Sequence, residues 1–349
     1  MRRSVSSAVR AAPGRSAFTL IELLIMIAII AILVGLLTAG IMKVISKGPD
    51  IGDGHDIKEL ELAVQKFYTT HKVYPPDYVK LCHFAADYNN SALDQYSRQI
   101  IERIWPSIFK DTATPVPWAG FNINYSAPPP GPWTVKQLPT HPVTGQKCVV
   151  LQGDQCLVFF LGGPLGTRGF TASASYPLHD AINPAFTASK LSRNAYYEFL
   201  PNRLAVRPVK VAITATSPFT NNMPEFPSFF SQHSSEDDTL IRNLDRPFVY
   251  FAGGNNILGT RGYNPLFRLG GIPHRIDDLD GVQPYFENAG NPAGSYLNPD
   301  TFQIISAGLN RKFGPIGQWK GGLSQAAAPN EDWKDNRANF SPNQLGVGP

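Results

Sequence analysis

The chain has 349 residues, 43% hydrophobic and 17% charged, an ordinary globular balance that excludes a disordered or collagen-like chain. Its 30 glycines and 31 prolines make up about 17% of the residues against a usual value of roughly 12%, which predicts a loop-rich body of many short elements. The formal charge of +4 is carried entirely by Arg2, Arg3, Arg10 and Arg15, so the rest of the chain is neutral and no basic patch for nucleic acid is indicated.

Behind those arginines, Leu23–Met42 runs for twenty residues without a charge. A helix of that length spans about 30 Å, the thickness of a bilayer's hydrocarbon layer. Basic residues before the span and no acid among them predict a cytoplasmic N-terminus, with everything after Lys43 on the far side. A secretory signal peptide has a shorter apolar region and ends in a small-residue cleavage site, which is lacking here. Glu22 stands at the cytoplasmic edge of the span. A carboxylate in that position is costly unless a positive group meets it, so it reads as functional.

After the span, Gly48, Pro49, Gly52 and Gly54 predict a broken or loosened helix. A new helix is expected near Asp56, with Asp56 and Glu59 at capping-box spacing and Ile57, Leu60, Val64 and Phe67 forming an apolar stripe. It ends by Tyr74-Pro75-Pro76. A further helix is read at Ala92–Phe109, then a proline-rich connector from Thr114 to Pro142. Val149–Leu151 and Cys156–Leu161 read as a hairpin, with more strands at Val209–Ala215, Phe248–Ala252 and Phe302–Ala307, and Pro218–Asp238 reads as a surface loop. The order predicts an α+β fold, a long N-terminal helix packed on a globular head with an antiparallel sheet and large loop insertions.

Little in the head points to catalysis. Gly162–Gly169 is glycine-rich, but Phe170–Pro177 behind it make a poor helix start, so it is read as a strand-closing loop and not a phosphate cradle. The seven histidines are scattered, with no H-E-x-x-H pair and no G-x-S-x-G elbow. No enzyme is expected. Of the three cysteines, Cys148 and Cys156 flank a predicted turn and read either as a disulfide or as two buried thiols.

Ala17-Phe18-Thr19-Leu20-Ile21-Glu22-Leu23-Leu24 resembles the cleavage and methylation signal of type IV prepilins and type II secretion pseudopilins. The resemblance implies cleavage by a membrane-embedded prepilin peptidase between Ala17 and Phe18, then N-methylation of Phe18. Glu22 would pair with the Phe18 amine of a neighbouring subunit, supplying the positive partner its carboxylate needs. The family usually has glycine before the cut, where this chain has Ala17. The segments Ala63–Tyr68, Phe302–Gly308 and Asp335–Ser341 are similar to parts of major pseudopilins, and Cys156–Gly163 and Tyr197–Phe199 with Arg203-Leu204 resemble a large pilin-like group with the same signal, leaving roughly residues 110–300 as an enlarged body.

The implied organisation is a leader at 1–17, a transmembrane assembly helix at 18–47, a linker and amphipathic second half of the helix at 48–76, and a pilin-like head at 77–349. The expected function is a structural subunit of a pilus-like filament or pseudopilus, in the inner membrane with its head periplasmic or extracellular. Its partners would be the peptidase, other subunits and the membrane. The alternative is a minor tip or cell-surface subunit whose head binds a ligand or secreted substrate, and copy number separates the two. Major pseudopilins also bind calcium in a loop after the strand matched by Phe302–Ala307. The loop at Gly308–Gly314 has no acid, so Glu331, Asp332 and Asp335 are the candidate ligands. Asp277, Asp278 and Asp280 read as a second calcium candidate or as a solvated turn.

Overall fold

The computed structural model describes residues 19–82, 85–88, 92–106, 108–109, 123–124, 134–135, 148–163, 195–206, 227–231, 246–253, 255, 263, 268–269, 272–273, 279, 282–287, 296–314, 319 and 332–346. Helix α1 covers Leu20–His71. It is followed by strand β1 (Tyr78–Cys82) and helix α2 (Ala92–Ile104). Strands β2 (Ile123–Asn124) and β3 (Thr134–Val135) form a two-residue ladder, and β4 (Cys148–Gln152) leads into helix α3 (Gly153–Gly162). The rest of the chain supplies β5 (Leu204–Val206), β6 (Pro227–Phe229), β7 (Val249–Ala252), β8 (Arg268–Leu269), β9 (Ile272–Pro273), β10 (Phe302–Ser306) and β11 (Arg337–Ala338). The strands pair antiparallel, as β1–β4, β5–β6, β8–β9 and a three-stranded sheet in the order β11-β10-β7, so the class is α+β. Two units are distinguished, with the boundary between Gly48 and Pro49.

In the first unit, Leu20–Thr38 is a nineteen-residue stretch of mean hydropathy 3.1 with none of it buried. It is long and apolar enough to cross a membrane.

In the second unit the three-stranded sheet is buried on both faces. Phe248, Tyr250 and Ala252 alternate with Val249 and Phe251, and the two sets join different apolar clusters. Phe302 and Ile304 join the first cluster and Ile305 and Ala307 the second. The first also holds Ile57, Leu60, Val64 and Phe67 of α1 with Ile100, Ile101 and Ile104 of α2, so the predicted stripe of α1 is its packed face. The second gathers Tyr285, Phe313, Trp333 and Leu345. This double burial explains why β7 reads as a continuous apolar run, and in β10 the buried polar Gln303 and Ser306 are hydrogen-bonded, to Tyr285 and Asp53.

Three expectations are corrected here. First, α1 does not break at 48–54, and Asp56 lies inside it, so no new helix starts there. Proline costs about 3 kcal/mol in a helix and glycine about 1. Tertiary contacts offset this: Asp53 is buried and accepts hydrogen bonds from Ser231 Oγ at 2.6 Å and Ser306 Oγ at 2.5 Å, and Arg337 passes over Gly54 where a Cβ would meet its guanidinium at 3.2 Å. Second, Cys156–Leu161 is not a strand. Gly153–Gly162 is a helix with all ten residues buried, and its start lies so close to β7 that a Cβ on Gly153 would meet Tyr250 O at 1.9 Å. A short run that is apolar on every side has no period to separate a core strand from a core helix. Third, β4 pairs with β1, which sequence reading missed, and β6 falls inside the stretch read as a surface loop. The expected strands at Val149–Leu151, Phe248–Ala252 and Phe302–Ala307 correspond to β4, β7 and β10, and the Ala92 helix ends at Ile104. Val209–Ala215 lies outside the described residues.

Candidate functional site

Thr19 is the residue before the first turn of α1, and Glu22 lies in that turn. Glu22 Oε2 accepts both the Thr19 N–H and the Thr19 hydroxyl at 2.9 Å, and the Glu22 N–H donates to Thr19 Oγ1 at 3.3 Å. This is a capping box, and it satisfies amide groups that a helix start leaves without intrahelical partners. The Thr-x-x-Glu spacing was present in the sequence and is a signal that the charge of Glu22 alone does not convey. Both bonds to the carboxylate fall on Oε2, and Oε1 takes neither. Ala17 and Phe18 lie outside the described residues.

Further along α1, in the second unit, two buried carboxylates bind the helix to distant segments. Asp53 holds Ser231 and Ser306. Asp56 Oδ2 lies 2.8 Å from Arg203 Nη2, with the two side chains only 7% and 11% exposed. Arg203 also donates from Nε to Phe230 O at 2.9 Å, and its guanidinium sits 4.2 Å from the Phe229 ring centroid. His55, Asp56 and Glu59 lie close enough to suggest a metal cluster, but the Asp56 carboxylate is already neutralised by Arg203. Beside them runs an open groove of about 320 Å³ lined by Glu59, Leu62, Ala63, Lys66, Tyr196, Tyr197 and Glu198.

His71 closes α1. Its Nε2 lies 2.8 Å from the Tyr196 hydroxyl, its ring packs 4.4 Å from Phe67, and it hydrogen-bonds the backbone at Ile104. Burial holds the ring below its ordinary value of 6.5, with the Ile104 bond acting the other way. The folded chain thus takes up this proton at lower pH than the unfolded chain. Stability is complete above the ordinary histidine range and declines as pH falls through it. The thermal midpoint of the full-length protein in detergent is expected to fall between pH 7 and pH 5, and His71→Gln should flatten that fall. Equal slopes for the two proteins would remove His71 from the account.

Cys82 is disulfide-bonded, and Cys148 stands directly opposite it in the β1–β4 ladder. Cys156 is a buried free thiol. The expected Cys148–Cys156 bridge is therefore corrected: of three cysteines, Cys148 is the one left for Cys82. Cys156 points from the buried helix α3 instead, where burial and then the Asp77 and Asp154 carboxylates push its thiol up.

Asp332 and Asp335 do come to the loop at 308–314, but the groups they meet are not those of a cation site. Asp335 Oδ2 accepts the Asn310 N–H at 2.7 Å, Asp332 O accepts Asn310 Nδ2 at 2.7 Å, and Lys312 Nζ lies 3.8 Å from Asp332 Oδ2. The one side-chain oxygen of Asn310 accepts the Lys312 N–H at 2.8 Å. Calcium needs six to eight converging oxygens, whereas the four named here, Asp335 Oδ2, Asp332 O, Asp332 Oδ2 and Asn310 Oδ1, face N–H donors and an ammonium. The described residues do not fit the ion. Glu331 lies outside them, as do Asp277, Asp278 and Asp280. Comparison of the chain with family models, with curated proteins and with solved structures finds no match in any of the three.

Proposed function

We propose that this chain is a type IV pilin-like subunit, processed at Ala17–Phe18 and assembled through α1 into a filament or pseudopilus. The observation that carries the reading is the start of α1. A fully exposed apolar stretch of nineteen residues begins with a single carboxylate, Glu22, whose Oε1 is not used by its own helix cap. In the proposed assembly the apolar stretches of neighbouring subunits pack together, and Oε1 receives the Phe18 amine of the next subunit. A buried charge tolerates only a compensated position, so the pair sets the register between subunits.

The disulfide at Cys82 supports a head outside the cytoplasm, because such bonds persist in oxidising compartments. The arginine-rich leader supports an N-terminus on the cytoplasmic side. The subunit is proposed to have a structural role and no catalytic one. Mass spectrometry of the mature protein tests the class: the expected N-terminus is a methylated Phe18, and cleavage beyond about residue 40, which would discard the apolar helix, would overturn it.

A further inference from the structure

The C-terminal closure of the second unit docks the turn at 332–335 on the loop at 308–314, with the polar contacts between them on the surface and Trp333 buried beneath. Gly308 and Gly314, with φ of +65° and +63°, take left-handed conformations at the two ends of the loop. A Cβ on Gly308 would meet Asp335 O at 2.2 Å, and one on Gly314 would meet Trp333 N at 2.7 Å. Backbone therefore lies against backbone at both ends, and only glycine fits. Between them Asn310 works in three directions: its N–H reaches Asp335 Oδ2, its Nδ2 reaches Asp332 O, and its Oδ1 takes the Lys312 N–H. The Lys312 ammonium faces Asp332 Oδ2 at 3.8 Å. The turn at 332–335 is held from its other side too. Trp333 is buried in the second apolar cluster, and the N–H groups of Leu345 and Gly346 donate to Asn336 O and Lys334 O.

We infer that the 308–314 loop and the 332–335 turn form a metal-independent clamp, in which Asn310 and Lys312 supply the positive groups that a bound cation would otherwise provide. The two carboxylates of the turn lie beside the loop, but an amide N–H and an ammonium face them. A divalent ion bound through Asp332 Oδ2 and Asp335 Oδ2 would have to displace the Lys312 ammonium and the Asn310 N–H. None of this depends on filament assembly, so the clamp stands or falls separately from the proposed function.

The test uses the full-length protein in detergent micelles, with thermal midpoints measured by circular dichroism in millimolar calcium chloride and in excess chelator. The expected midpoints of the natural protein are the same in both. Asn310→Ala, which removes two side-chain hydrogen bonds, should lower the midpoint by about 2–4 °C in either buffer. Terbium provides a second readout, because Trp333 adjoins Asp332 and would sensitise emission from an ion bound there; no saturable emission is expected. A calcium-dependent rise in midpoint that Asp335→Asn abolishes would overturn the clamp. So would saturable terbium emission, or an Asn310→Ala protein as stable as the natural one.

Discussion

Arg203→Met is expected to destabilise the second unit by about 3–5 kcal/mol, because it leaves the Asp56 carboxylate buried without its charge partner. The loss is expected to exceed that of an ordinary surface ion pair, worth about 0–1 kcal/mol, since both side chains are nearly covered. Arg203 also holds Phe230 O and covers the Phe229 ring. Arg203→Lys should therefore recover only part of the loss: an ammonium can face Asp56 but cannot also stack and donate from a planar fork. Changing both partners, as Asp56→Leu with Arg203→Met, removes the stranded charge and should regain most of the stability. Urea unfolding of the full-length proteins in detergent, arranged as a double-mutant cycle, measures the coupling. A cost below about 1 kcal/mol for Arg203→Met would show that Asp56 finds other compensation.

Glu22→Leu is expected to leave the protein in the membrane while filament yield drops at least about tenfold. The capping box complicates a simple reading, since losing a helix cap by itself weakens the start of the helix. Glu22→Gln separates the two roles. Its amide oxygen still accepts the Thr19 donors, but it carries no charge for a neighbour's amine. If charge pairing sets subunit register, the glutamine protein fails to assemble as the leucine one does. If the cap is the whole role of Glu22, the glutamine protein assembles normally, and the proposed pairing is wrong. Quantifying sheared filaments against membrane-retained protein decides between them.

The membrane-length helix could be read directly, because a nineteen-residue stretch in which Glu22 is the single charge is a local property that needs no partner. β4, β7, β10 and the start of α2 were also read at their observed places, although the equally apolar run at Cys156–Leu161 is a helix. Composition also located the whole positive excess in the first seventeen residues. At the candidate site, Glu22 was legible as a conspicuous charge, but its bond to Thr19 comes from the three-residue spacing and not from that charge.

What the sequence could not decide depends on contacts between distant residues. The Gly-Pro-rich stretch at 48–54 stays helical where Asp53 meets serines 178 and 253 residues away. Gly153–Gly162 is a helix buried at all ten residues, with Asp154 accepting the Ser228 hydroxyl from 74 residues away, which a local pattern cannot express. Cys82 is the residue opposite Cys148 because β1 and not Cys156–Leu161 pairs with β4. Asp332 and Asp335 face Asn310 and Lys312 only once the C-terminal turn docks on its loop. Local physics specified the long apolar helix, while the pairing of buried polar groups across the fold set the course of that helix through the second unit and the partners of its carboxylates.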